Sequence, residues 1–581
     1  MSKKKDIRRQ NIIQLLLGLV IIALVNIIGQ YYFTRFDLTS EKKYTLSETT
    51  KDLVRSFDDY VTFKVYLEGD FPAGFKKLQR ETREMLDEFH AYNSNIQYEF
   101  IDPTEVTDEE DRNSFYSELA QKGLEPTNIR MEDKGKQSQQ VIFPGAVVSY
   151  KSNREESINL LESRMSTSPD QQINLSIQAL EYNLTSTLKK LSNPEKQKIA
   201  FLHGHGELPK ERLEGAEKAL IDFYDVTHLI TENRVNSLVK RSIHDSTGEV
   251  LIEPRFKALI IARPTQPIKD REKFLIDQYI MHGGKILWLI DPVQTNMDSL
   301  QSKPTTLAMP SELNLDDLLF RYGVRLNKNL IKDLRSATIP LNTQPRGSKP
   351  KFEYFPWPYF PILLPQNDHP IVKNLNGIKG KFVSTLDTIS GNNIKKTMLL
   401  KSSQYSKVLS SPHKISLRSI RRRPDQRQYI HGSQDVAVLL EGRFTSVFKN
   451  RVPPQIAQSS ELAFRTESET NQMIVVADGD VIKNDISVRG REPLPLGVDR
   501  YSGRKYGNED FILNAVNYLC DDSGLLNLRD RDLKNRIMDL PRIEKEKTKW
   551  QIINIALPVL LILIMSFAWN ITRRKKFRRK S

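Results

Sequence analysis

Two charge-free apolar runs, one near each end, constrain what the rest of this chain can become. Neither Ile12–Tyr32 (IIQLLLGLVIIALVNIIGQYY) nor Ile552–Ile571 (IINIALPVLLILIMSFAWNI) contains a charged side chain. At about 1.5 Å per residue, each run is long enough as a helix to cross a hydrocarbon core of about 30 Å. Tyr31 and Tyr32 close the first run, and Trp550 and Trp569 bracket the second, at depths where amphipathic rings prefer to lie. Pro558 inside the second run is tolerable in lipid.

Charge then sets the expected orientation. The formal net charge is +15. Lys3, Lys4, Lys5, Arg8 and Arg9 stand against Asp6 in the first ten residues, and the last ten carry seven cations and no acid, so eleven of the fifteen surplus charges are in the two tails. What remains is too weak for a nucleic-acid surface, and no nucleic-acid partner is expected. Basic clusters abutting both runs predict that both termini are cytoplasmic and the intervening body is exported. A cleaved signal peptide is the competing reading of the first run. No A-x-A pattern follows it and no cysteine offers a lipid attachment point, which favours an uncleaved anchor. The single cysteine, Cys520, excludes an intrachain disulfide, so the body must be stable through its cores alone.

The chain accordingly divides into a basic tail (1–11), a span (12–33), a juxtamembrane stem (34–57), a first domain (58–161), a linker (162–172), a larger domain (173–525), a charged stem (526–549), a second span (550–571) and a basic tail (572–581). In the stem, Ser47 is placed to cap a short helix. Alternating Val61, Phe63, Val65 and Leu67 predict a strand, Phe75–Tyr92 a helix, Ile96–Ile101 a strand, and 145–150 with 156–160 a hairpin. That is a thioredoxin-like α/β order. No C-x-x-C dithiol accompanies it, so redox chemistry is not expected there. The larger domain opens with an amphipathic helix over 173–191. Continuous apolar strands (198–202, 258–262, 284–291) then alternate with helices over 210–224 and 270–281, which predicts a Rossmann-like parallel sheet covered on both faces. Strands at 436–441 and 473–477 and a helix at 510–519 close it. Residues 305–430 read as an insertion in which the pattern weakens. Its proline-rich stretch Phe352–Pro365 is expected to be a stiff crossover packing its aromatics on the domain, and Arg418–Arg427 a solvated loop.

One segment invites a chemical reading. His203, Gly204, His205, Gly206 and Glu207 follow a predicted parallel strand at its carboxyl end, where α/β sheets bind ligands. Two imidazoles and a carboxylate can hold Zn²⁺, but the spacing matches no zinc signature and no further His/Asp cluster completes the set. A tight strand-to-helix turn explains the glycines. Gly69 and Gly74 have Walker A separation, yet Phe75 and Lys76 follow where Lys and Ser/Thr are required, and there is no G-x-S-x-G elbow. No catalytic residue, metal or cofactor is expected.

Several segments taken together, LTSEKKYTLSETTK (38–51), FLHGHGE (201–207), ALIIARPTQPIKDREKFLIDQYIMHGGKILWLIDP (258–292) and LLEGRFTSVFKNR (439–451), resemble the auxiliary, substrate-binding-type component of gliding-motility-associated (GldG-type) ABC transporters. The resemblance implies a membrane permease partner, a separate ATPase, further envelope or motility partners, and a bacterial inner-membrane location. The central part is similar to glutamine-amidotransferase-like domains, but the nucleophilic cysteine of that class is absent. Anchoring at both ends points to a static, non-enzymatic subunit. The alternatives are a sugar- or peptide-binding subunit of an importer and, third, a metal-dependent hydrolase.

Overall fold

The computed structural model describes residues 12–13, 15–21, 23–24 and 45–578, except 106–107, 134–135, 152–153, 162–167, 193–195, 233, 244–249, 296, 345–348, 350, 392, 422–423, 458–462, 488–489, 491 and 522–539. It divides into two compact units, one up to Arg531 and one from Asp532 onward.

The folded body of the first unit opens on α1 (Glu48–Arg55), started as expected by Ser47, whose Oγ accepts from Thr50 N at 3.1 Å. Then come β1 (Val61–Val65), α2 (Ala73–Tyr92), β2 (Ile96–Phe100), α3 (Glu109–Gln121), and the hairpin β3 (Gly145–Tyr150) and β4 (Arg154–Asn159). They form a four-stranded sheet in the order β2-β1-β3-β4, with β1 parallel to β2 and β3 antiparallel to both its neighbours. An additional hairpin, Thr127–Asp133 with Lys136–Ile142, precedes β3.

Helix α4 (Pro169–Ser192) starts inside the expected linker and packs on α1, α2 and β4. Buried Glu181 anchors it by accepting from Ser47 N at 2.8 Å and Thr50 Oγ1 at 2.9 Å. This helix therefore completes the first domain's packing, although its sequence position suggested that it opens the second.

The larger domain contains β5 (Gln197–His203), α5 (Lys210–Ile221), β6 (Tyr224–Ile230), β7 (Ala258–Ala262), α6 (Asp270–Met281), β8 (Lys285–Leu289), α7 (Asp316–Tyr322), β9 (Ser336–Asn342), β10 (Phe352–Pro365), β11 (Ile394–Lys401), β12 (Asp435–Thr445), β13 (Glu467–Val476) and α8 (Asn508–Cys520). Its main sheet runs β9-β10-β11-β12-β13-β8-β7-β5-β6. The five strands from β13 to β6 are parallel. From β6, their chain order is 2-1-3-4-5, a doubly wound arrangement that reverses between β5 and β7.

Alternation along the strands builds two cores. Ile199, Phe201, Ile260, Leu287 and Ile474 pack against α5 and α8 on one face. Ala200, Leu202, Ile261, Trp288 and Val475 pack against α6 and α7 on the other.

The sheet is mixed, not wholly parallel. Strands β9, β10 and β11, which fall inside the expected insertion, join β12 and extend the sheet antiparallel. The expected crossover at 352–365 is strand β10. Its prolines obscured it because each removes a ladder donor, but β10 lies next to the edge strand β9, and the pairing there shifts register between Ser336 and Thr338. Of the aromatics expected to pack inward, half do: Trp357, Tyr359 and Phe360 are buried, whereas Phe352 and Tyr354 are exposed.

The second unit contains α9 (Leu540–Arg578). Its stretch Glu546–Ile571 is, among the described residues, the one helix long and apolar enough to cross a membrane, and none of it is buried inside the protein. Of the first expected span, residues 12–13, 15–21 and 23–24 are helical with exposed apolar side chains, and the remainder of 12–33 lies outside the described residues.

Candidate functional site

At the switch point, the carboxyl ends of β5 and β7 flank the crevice in which doubly wound sheets hold ligands. His203 ends β5, and the next four residues form the turn toward α5. Gly206 adopts φ +72°, and a Cβ there would lie 2.2 Å from Thr265 Oγ1, so glycine is required. The His205 carbonyl accepts from Thr265 N at 2.9 Å and Gln266 N at 2.8 Å, fastening the loop to the segment leaving β7.

The two histidines of the motif serve different neighbours. His205 is 2% exposed, with Nδ1 2.9 Å from Glu207 Oε1 and Nε2 2.8 Å from Glu272 Oε2 on α6. Glu272 also accepts from Thr231 Oγ1 at 2.5 Å. Burial opposes a charge on His205, but its hydrogen bonds to Glu207 and then Glu272 outweigh burial and raise its pKa. Burial likewise acts to raise the Glu272 pKa, yet hydrogen bonds from Thr231 and His205 prevail and lower it. Each ring nitrogen of His205 faces a carboxylate oxygen, so the protonated ring donates to both and clamps the loop to α6.

His203 instead has Nε2 2.8 Å from Nδ1 of His228 on β6, the rings stacked with centroids 5.0 Å apart. Burial, then the neighbouring His228, lower the His203 pKa, and the other nitrogen of His228 lies 3.3 Å from Glu217 Oε2. The motif thus does not converge on one point in space. Among the described residues, no group of three His, Cys, Asp or Glu is arranged to hold a metal ion.

The rest of the carboxyl edge is occupied by charge. Arg263 directly follows β7, while Asp291 and Asp478 lie two residues beyond β8 and β13. Arg263 Nε donates to Asp291 Oδ2 at 2.6 Å, and its Nη1 lies 3.6 Å from Asp480 Oδ1. Asp478 is fully buried and accepts from Lys381 N at 2.9 Å and Asp480 N at 2.8 Å. Lys483 pairs with Asp480 at 3.2 Å, Lys381 with Asp485 at 2.7 Å, and Lys379 with Asp499. Burial pushes the pKa values of Asp291 and Asp478 up. Asp480 is also buried, but Lys483, Arg263 and Lys381 hold its pKa down.

Burying such ions costs several kcal/mol each, by an order-of-magnitude estimate, and is tolerated where they compensate one another. Four cations (Arg263, Lys379, Lys381 and Lys483) and five carboxylates (Asp291, Asp478, Asp480, Asp485 and Asp499) lie together here. The edge that the sequence suggested as a ligand site is filled by the protein's own paired side chains.

Glu272, His228, Arg263, Asp291, Asp478 and Asp480 escaped the sequence reading. The last four did carry a signal, since each lies just after an apolar strand, in ALIIAR, LWLID and IVVADGD.

These features define a mixed α/β body carrying a doubly wound parallel core, in a chain with an apolar C-terminal helix. The chain belongs to the family described as an ABC-type uncharacterized transport system, whose model matches residues 196–515, and it is an auxiliary protein of such a system. Residues 40–149 match a domain of unknown function, DUF7088. An uncharacterized protein of Borreliella burgdorferi is 21% identical over 580 residues, covering 98% of this chain and 99% of the relative. Among solved structures, the mmIFT52 N-terminal domain is 13% identical with a TM-score of 0.30, covering 56% of this chain and 97% of that domain. A ThuA-like protein from Parabacteroides merdae is 9% identical with a TM-score of 0.25, covering 56% of this chain and 90% of that one.

Proposed function

We propose that this chain is a non-enzymatic, membrane-anchored subunit of an ABC transport complex serving gliding motility or secretion, standing beside a separate permease and a separate ATPase. The observation that carries the reading is the transport-family match over the large domain in a chain whose Glu546–Ile571 helix is long and apolar enough to span a bilayer. In this reading the two apolar runs are both spans, the basic tails are cytoplasmic, and the body stands outside the bacterial inner membrane. The surplus of lysine and arginine beside each run supports that orientation.

A static role is supported by the carboxyl edge, where paired charges and the enclosed His205 take the space that a captured sugar or peptide would need. Purification of the tagged chain in mild detergent is expected to recover a multi-span permease and an ATPase in constant ratio. Recovery of the chain alone, repeated at several detergent strengths, would count decisively against the complex. A reporter fused after Ser581 should stay protected from protease added outside intact cells, and its cleavage there would overturn the topology.

A further inference from the structure

A cleft of about 710 Å³ opens away from the carboxyl edge, between α7 with the strand that follows it and the turn leaving β12. That is the size range of small-ligand sites. Its lining includes Arg321, Arg325, Lys328, Lys449 and Arg451 against two carboxylates, Asp316 and Asp317. The carboxylates are already engaged. Asp317 takes Lys273 at 3.0 Å and Arg451 at 2.8 Å, and Asp316 lies 3.3 Å from Lys328, which also reaches Glu312. Lys449 is paired with Glu467 at 2.6 Å.

Arg321 and Arg325 differ from these. Both are exposed on the cleft wall, and among the described residues neither forms an ion pair, although, behind the larger effect of Lys449, Arg321 is near enough to Glu467 to help hold that carboxylate's pKa down. Asp387, opposite Arg325 where Val324–Leu326 pairs antiparallel with Leu386–Thr388, accepts from Asn327 at 2.9 Å.

The walls are fixed from behind. Fully buried Asp277 on α6 accepts from Tyr322 Oη at the end of α7 at 2.8 Å, from Ser446 Oγ at 2.6 Å and from Val447 N at 3.1 Å. One carboxylate thus ties both sides of the cleft to the same helix, so an incoming ligand meets a wall that is already ordered. Arg321 and Arg325 line the same cleft, and a guanidinium presents a planar fork of donors that matches planar oxyanions.

We propose that this cleft is a binding site for an oxyanion-bearing ligand, carrying two or more phosphate or carboxylate groups, held by Arg321 and Arg325. The proposal stands independently of the transport complex, because it depends only on the body. Full-length protein in detergent is titrated calorimetrically with inorganic pyrophosphate and, separately, with a pentaglutamate peptide. These two arms distinguish a phosphate source from a peptide carboxylate source.

Saturable binding in at least one arm is expected, weakened about tenfold or more in Arg321→Ala/Arg325→Ala. The charge-conserving Arg321→Lys/Arg325→Lys is expected to fall between, since it keeps charge and loses the fork. Removing two exposed cations elsewhere, Lys210→Ala/Lys218→Ala on α5, is expected to leave the affinity in place. No saturable binding in either arm overturns the proposal. So does binding that survives the double arginine change, or that falls equally in the α5 control.

Discussion

At the carboxyl edge of the parallel strands, four cations and five carboxylates lie largely covered and answer one another, whereas at the α7 cleft Arg321 and Arg325 are exposed and, among the described residues, form no ion pair. The two regions belong to the same domain. Their difference shows that position at a sheet's carboxyl end does not make a binding site when the protein's own side chains saturate it. Charges there hold loops together, because each is needed to offset the burial of another. At the cleft most charges are paired as well, but Arg321 and Arg325 offset no buried ion and remain exposed to an outside ligand.

The largest expected effect belongs to the covered region. Arg263→Ala removes the partner of buried Asp291 and a neighbour of Asp480, and is expected to cost about 3–5 kcal/mol in chemical denaturation of the body. A loss under about 1 kcal/mol would mean that these ions are reached by water and the contrast is overdrawn.

Next is His205→Ala, which strips Glu207 and Glu272 of a shared buried donor. An expected loss of about 1–3 kcal/mol is measured the same way, while His203→Ala, on a half-buried ring whose one such contact is with His228, should cost less. If the order of the two histidines were reversed, the clamp assigned to His205 would be wrong.

The same clamp predicts a pH dependence. The folded pKa of His205 is raised above the unfolded value of about 6.5. Its contribution is therefore complete below about pH 6.5 and is lost as pH rises through the folded value. Denaturation midpoints followed upward from there should fall in the wild type, and fall less in His205→Gln. Equal slopes would remove the imidazolium from the account.

The smallest expected effect is at the open region. Arg321→Ala/Arg325→Ala should change stability by no more than about 0.5 kcal/mol. A large loss would mean that the arginines are structural after all.

Much of the parallel core was legible in the sequence. ALIIA, flanked by turns and a helix of 12 residues, can scarcely be anything other than a strand buried on both faces, and the helix over 270–281 lies where its pattern places it. Ser47 announced a helix start that the structure shows hydrogen bond for hydrogen bond. Strand β10 was not legible, because four prolines in 14 residues hide a strand whose tolerance depends on the neighbour it pairs with. Nor was the fate of the His203–Glu207 motif. Spacing gave the turn, but not that one ring would face β6 and the other α6.

The sequence by itself determined the properties that depend on local composition: two apolar runs with basic flanks, strands buried on both faces, helix starts, and glycines where the backbone must turn. Pairing was decided only by the tertiary structure. It made α4 part of the first domain, joined an apparent insertion to the main sheet, and brought Arg263, Asp291 and Asp480 together from separate strand ends. The reason is that a charge's role depends on which opposite charges lie within a few ångströms of it. Those neighbours come from chain segments up to about two hundred residues apart, whose meeting no local pattern records.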